Sequence, residues 1–174
     1  MFSAIFQLWL ALSERYLRKR GVDWNVEKVK WLSDKWMRDD EELGDQIVKD
    51  LHRTGHSLLS GPQGKLNQAK LKRILMGYTR WNPEVGYCQG FNMLGAIILQ
   101  QMDTNEVDSI KVMIFLIEGL LPPGYFCGSL DGLQADMAVF RELLGTKLPK
   151  LGNILGLQSK KQHLIPLQSF ENYS

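Results

Sequence analysis

Apolar residues recur at helical spacing along nearly the whole chain, and polar or glycine-rich breaks separate the runs. Leu8, Leu12, Tyr16 and Leu17 line one side of a predicted helix over 8–19, with Gly21 placed as its C-cap. Asp23 can cap a second helix over 24–36, whose apolar members are Val26, Val29, Trp31, Leu32 and Trp36. The acidic run Asp39, Asp40, Glu41, Glu42 reads as a solvated loop. Ile47, Val48 and Leu51 then mark one side of a short segment over 44–51. Residues 54–67 hold Gly55, Gly61, Pro62 and Gly64 and read as a mobile surface loop. Leu71, Ile74, Leu75 and Tyr78 fall at i, i+3, i+4, i+7 and predict a helix over 68–81, stopped by Asn82-Pro83.

A helix over 87–101 follows, with Phe91, Leu94, Ile97 and Ile98 on a broad apolar face and Gly90 and Gly95 allowing close packing. Asn105 and Asp108 give a start signal for a helix over 107–121 that is apolar nearly all round, the pattern of an element buried between others. Pro122-Pro123 ends it. A further helix over 130–148 carries Leu133, Met137, Phe140, Leu143 and Leu144, and Pro149 closes it. No period-2 run of β-branched residues offers a strand. The expectation is an all-α, multi-helix, bundle-like array, with an aperiodic polar tail over 158–174.

The 174 residues suit one domain, and 44% apolar against 23% charged is a globular balance with enough apolar material for a core. With 21 basic and 19 acidic residues the net charge is +2, which excludes a nucleic-acid binder driven by bulk charge. Lys65, Lys70, Lys72, Arg73 and Arg80 read instead as the solvated face of the 68–81 helix. Two cysteines, Cys88 and Cys127, supply no disulfide scaffold and suit a reducing compartment. The apolar start over 1–12 is interrupted by Ser3 and Gln7, is shorter than the about 20 residues of a spanning helix, and lacks the basic segment of a signal peptide. It reads as an amphipathic first helix.

Three motifs carry little. Gly61-Pro62-Gln63-Gly64-Lys65 is too short for a phosphate loop, and Leu66 replaces the required Ser or Thr. His52 and His56 stand four apart, but Gly55 breaks the helix between them and no third ligand is near, so no metal is expected. Asn172-Tyr173-Ser174 matches a glycosylation pattern by chance.

Two segments do not read as plain core. In Ile47-Val48-Lys49-Asp50-Leu51-His52-Arg53-Thr54, Asp50 and Arg53 share a helix face. An ordinary surface ion pair explains that spacing. So does an arginine held in a fixed direction at an element's end, as phosphoryl-transfer chemistry requires. In Gly86-Tyr87-Cys88-Gln89-Gly90-Phe91-Asn92, two amides, Gln89 and Asn92, stand at the head of an apolar helix. They serve either as caps or as groups that orient a water at a helix N-terminus.

With these two segments in order, the chain resembles the TBC domain family of GTPase-activating proteins for Rab-type small GTPases. The resemblance rests on Ile47-x-x-Asp50-x-x-Arg53 and Tyr87-x-Gln89, with Arg80-Trp81-Asn82 and Met137-Ala138-Val139-Phe140-Arg141 around them, and covers 5–157. It implies an activator rather than a GTPase. Arg53 would be an arginine finger and Gln89 a glutamine finger, both inserted in trans into a GTP-bound Rab-type partner. Asp50 would position Arg53, Tyr87 would set the Gln89 segment, and Asn92 would support it. No cofactor of its own is implied, since GTP and Mg belong to the partner. A cytoplasmic setting, recruitment to endomembranes through the GTPase and a role in vesicle trafficking follow from the same resemblance. A full domain of this family is longer and has a second helical half, so the chain reads as a truncated, N-terminal part of it, and weak or absent activity is expected. The competing reading is a non-catalytic helical module that binds a GTPase or scaffold.

Overall fold

A computed structural model describes residues 4–32, 41–55, 57–126 and 128–155, and the regular structure among them is entirely helical. Among the described residues eight α-helices follow one another: α1 Ala4–Lys19, α2 Trp24–Trp31, α3 Glu41–Arg53, α4 Gly64–Trp81, α5 Phe91–Gln101, α6 Glu106–Ile114, α7 Asp131–Lys147 and α8 Pro149–Ile154. A 3₁₀ turn, Ser57–Leu59, precedes α4, and a π-helical segment, Phe115–Leu120, continues α6. The chain divides into two compact units, Met1–Cys127 and Gly128–Ser174.

In the first unit α4 and α6 form the centre. Ile110, Val112, Met113 and Ile114 of α6 are fully buried, as are Leu71, Ile74, Leu75, Met76 and Tyr78 of α4. Each such aliphatic side chain contributes about 1.5–3 kcal/mol by leaving water. Helix α6 packs against α1, α4 and α5, and α4 also meets α2 and α3. This is the buried helix that the all-round apolar pattern predicts. Its one cation, Lys111, is buried too, but its ammonium pairs with Glu14 at 3.0 Å and Asp108 at 2.8 Å. At Gly77 a Cβ would lie 2.7 Å from Ile110 Cδ1 and 3.1 Å from the Trp31 carbonyl oxygen, so α2, α4 and α6 meet where no side chain intervenes. Gly95 brings α5 similarly close to Leu71 of α4.

Several boundaries and faces differ from the sequence expectation. Helix α1 starts at Ala4 and turns Phe6, Ser13 and Leu17 inward, while Leu8 is exposed. Ser13 is fully buried, its hydroxyl satisfied by donation to the Leu10 carbonyl at 2.8 Å. Helix α2 is capped by Asp23 as expected, but Val26 and Val29 face solvent. Its inner side is aromatic, with Trp24 and Trp31 edge-on to Trp81. Trp36, Asp39 and Asp40 lie outside the described residues. Glu41 and Glu42 belong to α3 rather than to a loop.

The expected loop over 54–67 is in part helical. Leu59 is buried, and the Asn67 and Gln68 side-chain amides donate to the Leu58 and Leu59 carbonyls, each at 2.9 Å. That ties down the 3₁₀ turn and lets α4 begin at Gly64. Helix α5 begins at Phe91 instead of Tyr87, because Gly90 has φ +102° and cannot continue a right-handed helix. Asn105 caps α6, its side chain accepting from the Asp108 amide at 3.1 Å. In the second unit Pro149 opens α8 instead of closing α7, as a residue with no N–H to satisfy can. There α7 and α8 approach closely at Gly145 and Gly152, and none of the residues of α7 is buried. The tail over 158–174, with its glycosylation pattern, lies outside the described residues.

Candidate functional site

Helix α3 buries Ile47 and Leu51, which leaves Asp50 half-buried and Arg53 exposed at its last turn. The expected Asp50–Arg53 pair is not formed. The Asp50 carboxylate accepts instead from the Tyr87 hydroxyl at 2.9 Å, and the Arg53 guanidinium makes no hydrogen bond or ion pair among the described residues. A half-buried phenol needs an acceptor, and an exposed guanidinium is satisfied by water, so the carboxylate goes to the group with the greater need. Burial, then the hydrogen bond to Asp50, pushes the Tyr87 phenol above its ordinary value of 10. Burial likewise pushes the neighbouring Cys88 thiol up.

A second tie lies beneath the first. Buried Asn92, in the first turn of α5, donates Nδ2 to the Thr54 hydroxyl oxygen at 2.6 Å and to the Asp50 main-chain oxygen at 3.3 Å. The Thr54 hydroxyl donates to that same Asp50 oxygen at 2.8 Å, closing the triangle. The C-terminal end of α3 and the head of α5, some forty residues apart in sequence, are thus joined by Asp50, Thr54, Tyr87 and Asn92.

Between them runs the 82–90 segment. Asn82, held extended by Pro83, accepts the Val85 amide on Oδ1 at 3.1 Å and the Gly86 amide on its carbonyl at 2.9 Å. Gly86 takes φ +63°. Tyr87 then stacks edge-on against Phe91, which does the same with Tyr78 and Phe126. Gln89 is exposed, and its side-chain amide makes no hydrogen bond among the described residues. It does not cap α5, whose N-cap is Gly90 with no side-chain bond. Of the two amides weighed as caps, only Asn92 is used internally.

All five sequence-selected residues, Asp50, Arg53, Tyr87, Gln89 and Asn92, therefore belong to one pair of joined chain segments. Two contributors escaped selection. Thr54 stands in the quoted motif, yet a lone hydroxyl after a helix gives no distinct signal. Glu118 had a signal, being the only charge in the apolar stretch 112–121. It accepts from the Trp81 indole at 2.9 Å, the Asn82 amide at 3.1 Å and the Arg20 guanidinium at 2.5 Å.

The discounted motifs can be placed as well. Gly64 and Lys65 open α4, and Gly64 packs directly on the Leu59 carbonyl. Among the described residues no group of three or more His, Cys, Asp or Glu could hold a metal ion, and His56 is not among them. The basic residues of α4 are not all a solvated face: Arg73 pairs with Glu106, and Lys70 donates to the Thr104 hydroxyl and carbonyl, both at 3.0 Å. No described helix is long and apolar enough to cross a membrane.

This constellation on an all-helical scaffold has relatives. The family model for the Rab-GTPase-TBC domain matches residues 6–170. The chain is 45% identical over 166 residues to "TBC1 domain family member 30" of Mus musculus, covering 95% of this chain and 20% of that one. It is 34% identical over 165 residues to "Small G protein signaling modulator 3" of Homo sapiens, covering 94% and 21%. Among solved structures it is similar to a Chlamydomonas flagellar RabGAP TBC domain, with TM-score 0.61 and 27% identity over 85% of this chain and 47% of that one. The chain belongs to the Rab-GTPase-TBC domain family. It spans about a fifth of the length of these curated relatives and about half of the solved domain.

Proposed function

We propose that the chain is a GTPase-activating module for a Rab-type small GTPase in its GTP-bound state, with Arg53 and Gln89 as residues inserted in trans. The observation that carries this reading is a contrast. Asp50, Thr54, Tyr87 and Asn92 spend their polar groups on joining α3 to the head of α5, while Arg53 and Gln89, at the ends of the joined segments, are exposed and uncommitted. A planar guanidinium stabilises charge on a transferring phosphoryl group. A side-chain amide, which both donates and accepts, can orient the attacking water. The chain supplies no cofactor; GTP and Mg are the partner's. Cytoplasmic action, with recruitment to endomembranes through the GTPase, fits the same reading.

The test is single-turnover GTP hydrolysis by a panel of Rab-type GTPases with and without this chain. An arginine finger is worth about 10³–10⁵ in rate, or about 4–7 kcal/mol at 1.36 kcal/mol per decade. Arg53→Ala should remove nearly all of any acceleration, and Arg53→Lys should restore little, because lysine lacks the bidentate fork. Gln89→Ala should cut the rate strongly with helical content unchanged by circular dichroism. Full acceleration by Arg53→Ala would remove the arginine from the reaction. Binding of a GTP-loaded partner without acceleration, by wild type and variants alike, would instead favour a non-catalytic interaction module.

A further inference from the structure

We propose that Glu118 is a positioning residue for the Gln89 segment, acting through the amide of Asn82; this rests on the activator reading of Gln89. Glu118 stands in the π-helical segment Phe115–Leu120, an irregularity that helices adopt at some cost and often near functional sites. Its side chain is only 12% exposed, in a stretch that is otherwise apolar. A carboxylate so placed needs partners, and it has three: the Arg20 guanidinium, the Trp81 indole N–H and the Asn82 amide.

The third bond matters most. An asparagine amide can sit either way round. Because Nδ2 of Asn82 donates to Glu118, its Oδ1 faces the other way, where it accepts the Val85 amide. That bond shapes the turn whose next residues are Gly86, with φ +63°, and Tyr87, which donates to Asp50. The Tyr87–Gly90 stretch is thus held on one side by Asp50 and on the other by Glu118 through Asn82. Arg20 completes the arrangement: it balances the carboxylate charge, and its guanidinium lies 6.0 Å from the Trp81 ring centre. If Glu118 served only to bind Arg20, its loss would leave the 82–89 turn undisturbed.

The experiment uses the full chain and reads two quantities. The first is amide hydrogen exchange at Val85 and Gly86, with the α6 amides of Val112 to Ile114 as an internal reference. Glu118→Ala should speed exchange at Val85 and Gly86 by about tenfold or more while the reference amides hold. Glu118→Gln keeps one acceptor oxygen and should speed it by only about threefold. Glu118→Ala and Asn82→Ala combined should add little to either alone, because both break one chain of bonds. The second quantity is stimulated GTP hydrolysis: kcat should fall about tenfold or more in Glu118→Ala, with KM for the GTPase within about twofold, and recover in part in Glu118→Gln.

Exchange unchanged at Val85 and Gly86, or raised equally at the reference amides, overturns the proposal. So does a double variant whose effect is the sum of the two singles. If Glu118→Ala loses its cooperative melt, Glu118→Gln decides, and unchanged exchange in it overturns the proposal. If wild type accelerates no GTPase, the activator reading fails, and the exchange results still settle whether Glu118 holds the turn.

Discussion

One amide nitrogen, Nδ2 of Asn92, makes both bonds that reach from α5 back to α3. Removing it in Asn92→Ala leaves the buried Thr54 hydroxyl without its donor, at a cost of about 1–3 kcal/mol. For a chain of this size each kcal/mol lowers Tm by about 2–4 °C, so a thermal melt should show the loss clearly. An unchanged Tm would mean that water replaces the amide without penalty. Tyr87 gives a prediction with a pH signature. Its phenol is raised above the ordinary value of 10 by burial and by Asp50, so the folded chain holds this proton more tightly than the unfolded chain. That contribution is fully present below pH about 10 and is lost as the pH rises beyond it. Urea midpoints measured from pH 8 upward should therefore fall more steeply above about 10 for wild type than for Tyr87→Phe. Parallel curves would show that the Tyr87 proton is not coupled to folding.

At the scale of helices, what sets the packing is where side chains are missing. Gly77 lies against both the Trp31 backbone oxygen and Ile110 Cδ1, and the backbone contact has no flexible end that can move aside. Gly77→Ala should therefore destabilise by about 1–3 kcal/mol despite alanine's better helix propensity. A Cβ added at Gly145, within α7, would meet nothing within 4 Å, and alanine there should be neutral or stabilising by up to about 1 kcal/mol. Denaturant melts of the two variants should move in opposite directions or differ by at least about 1 kcal/mol. Equal shifts would show that helix propensity, not the close approach at Gly77, controls both positions.

For the molecule as a whole, the central expectation concerns rate. The chain covers 47% of the solved TBC domain it resembles, and several large apolar side chains, among them Phe140 at 55% and Ile154 at 80%, are exposed. In the proposed role Arg53 and Gln89 would need rigid support, since a small displacement costs about 10² in rate. If the proposed activator role holds, adding the remainder of the matched domain should raise the rate per molecule on the same GTPase. Equal rates, with a cooperative melt of this chain alone, would show that Arg53 and Gln89 are held well enough by residues already present.

Helical periodicity alone was enough to place the core helices. A run such as 68–81 or 107–121 buries the same face however its neighbours arrive, and Asp23 and Asn105 cap locally, through their own next residues. The Asp50-x-x-Arg53 and Tyr87-x-Gln89 words stand out for a similar reason, being short patterns of fixed spacing. What could not be read was which polar partner each residue would choose. Asp50 takes Tyr87 over Arg53, three residues away, because a half-buried hydroxyl 37 positions along the chain needs it more. The inward face of α1 takes Phe6, Ser13 and Leu17 and leaves Leu8 exposed, which the apolar pattern of the helix alone does not specify. Glu118 acquires its meaning only when a π-helical segment sets it against Arg20, Trp81 and Asn82, residues up to 98 positions away. Competition between distant partners for a few buried polar groups is settled by packing, and that information is not local in the chain.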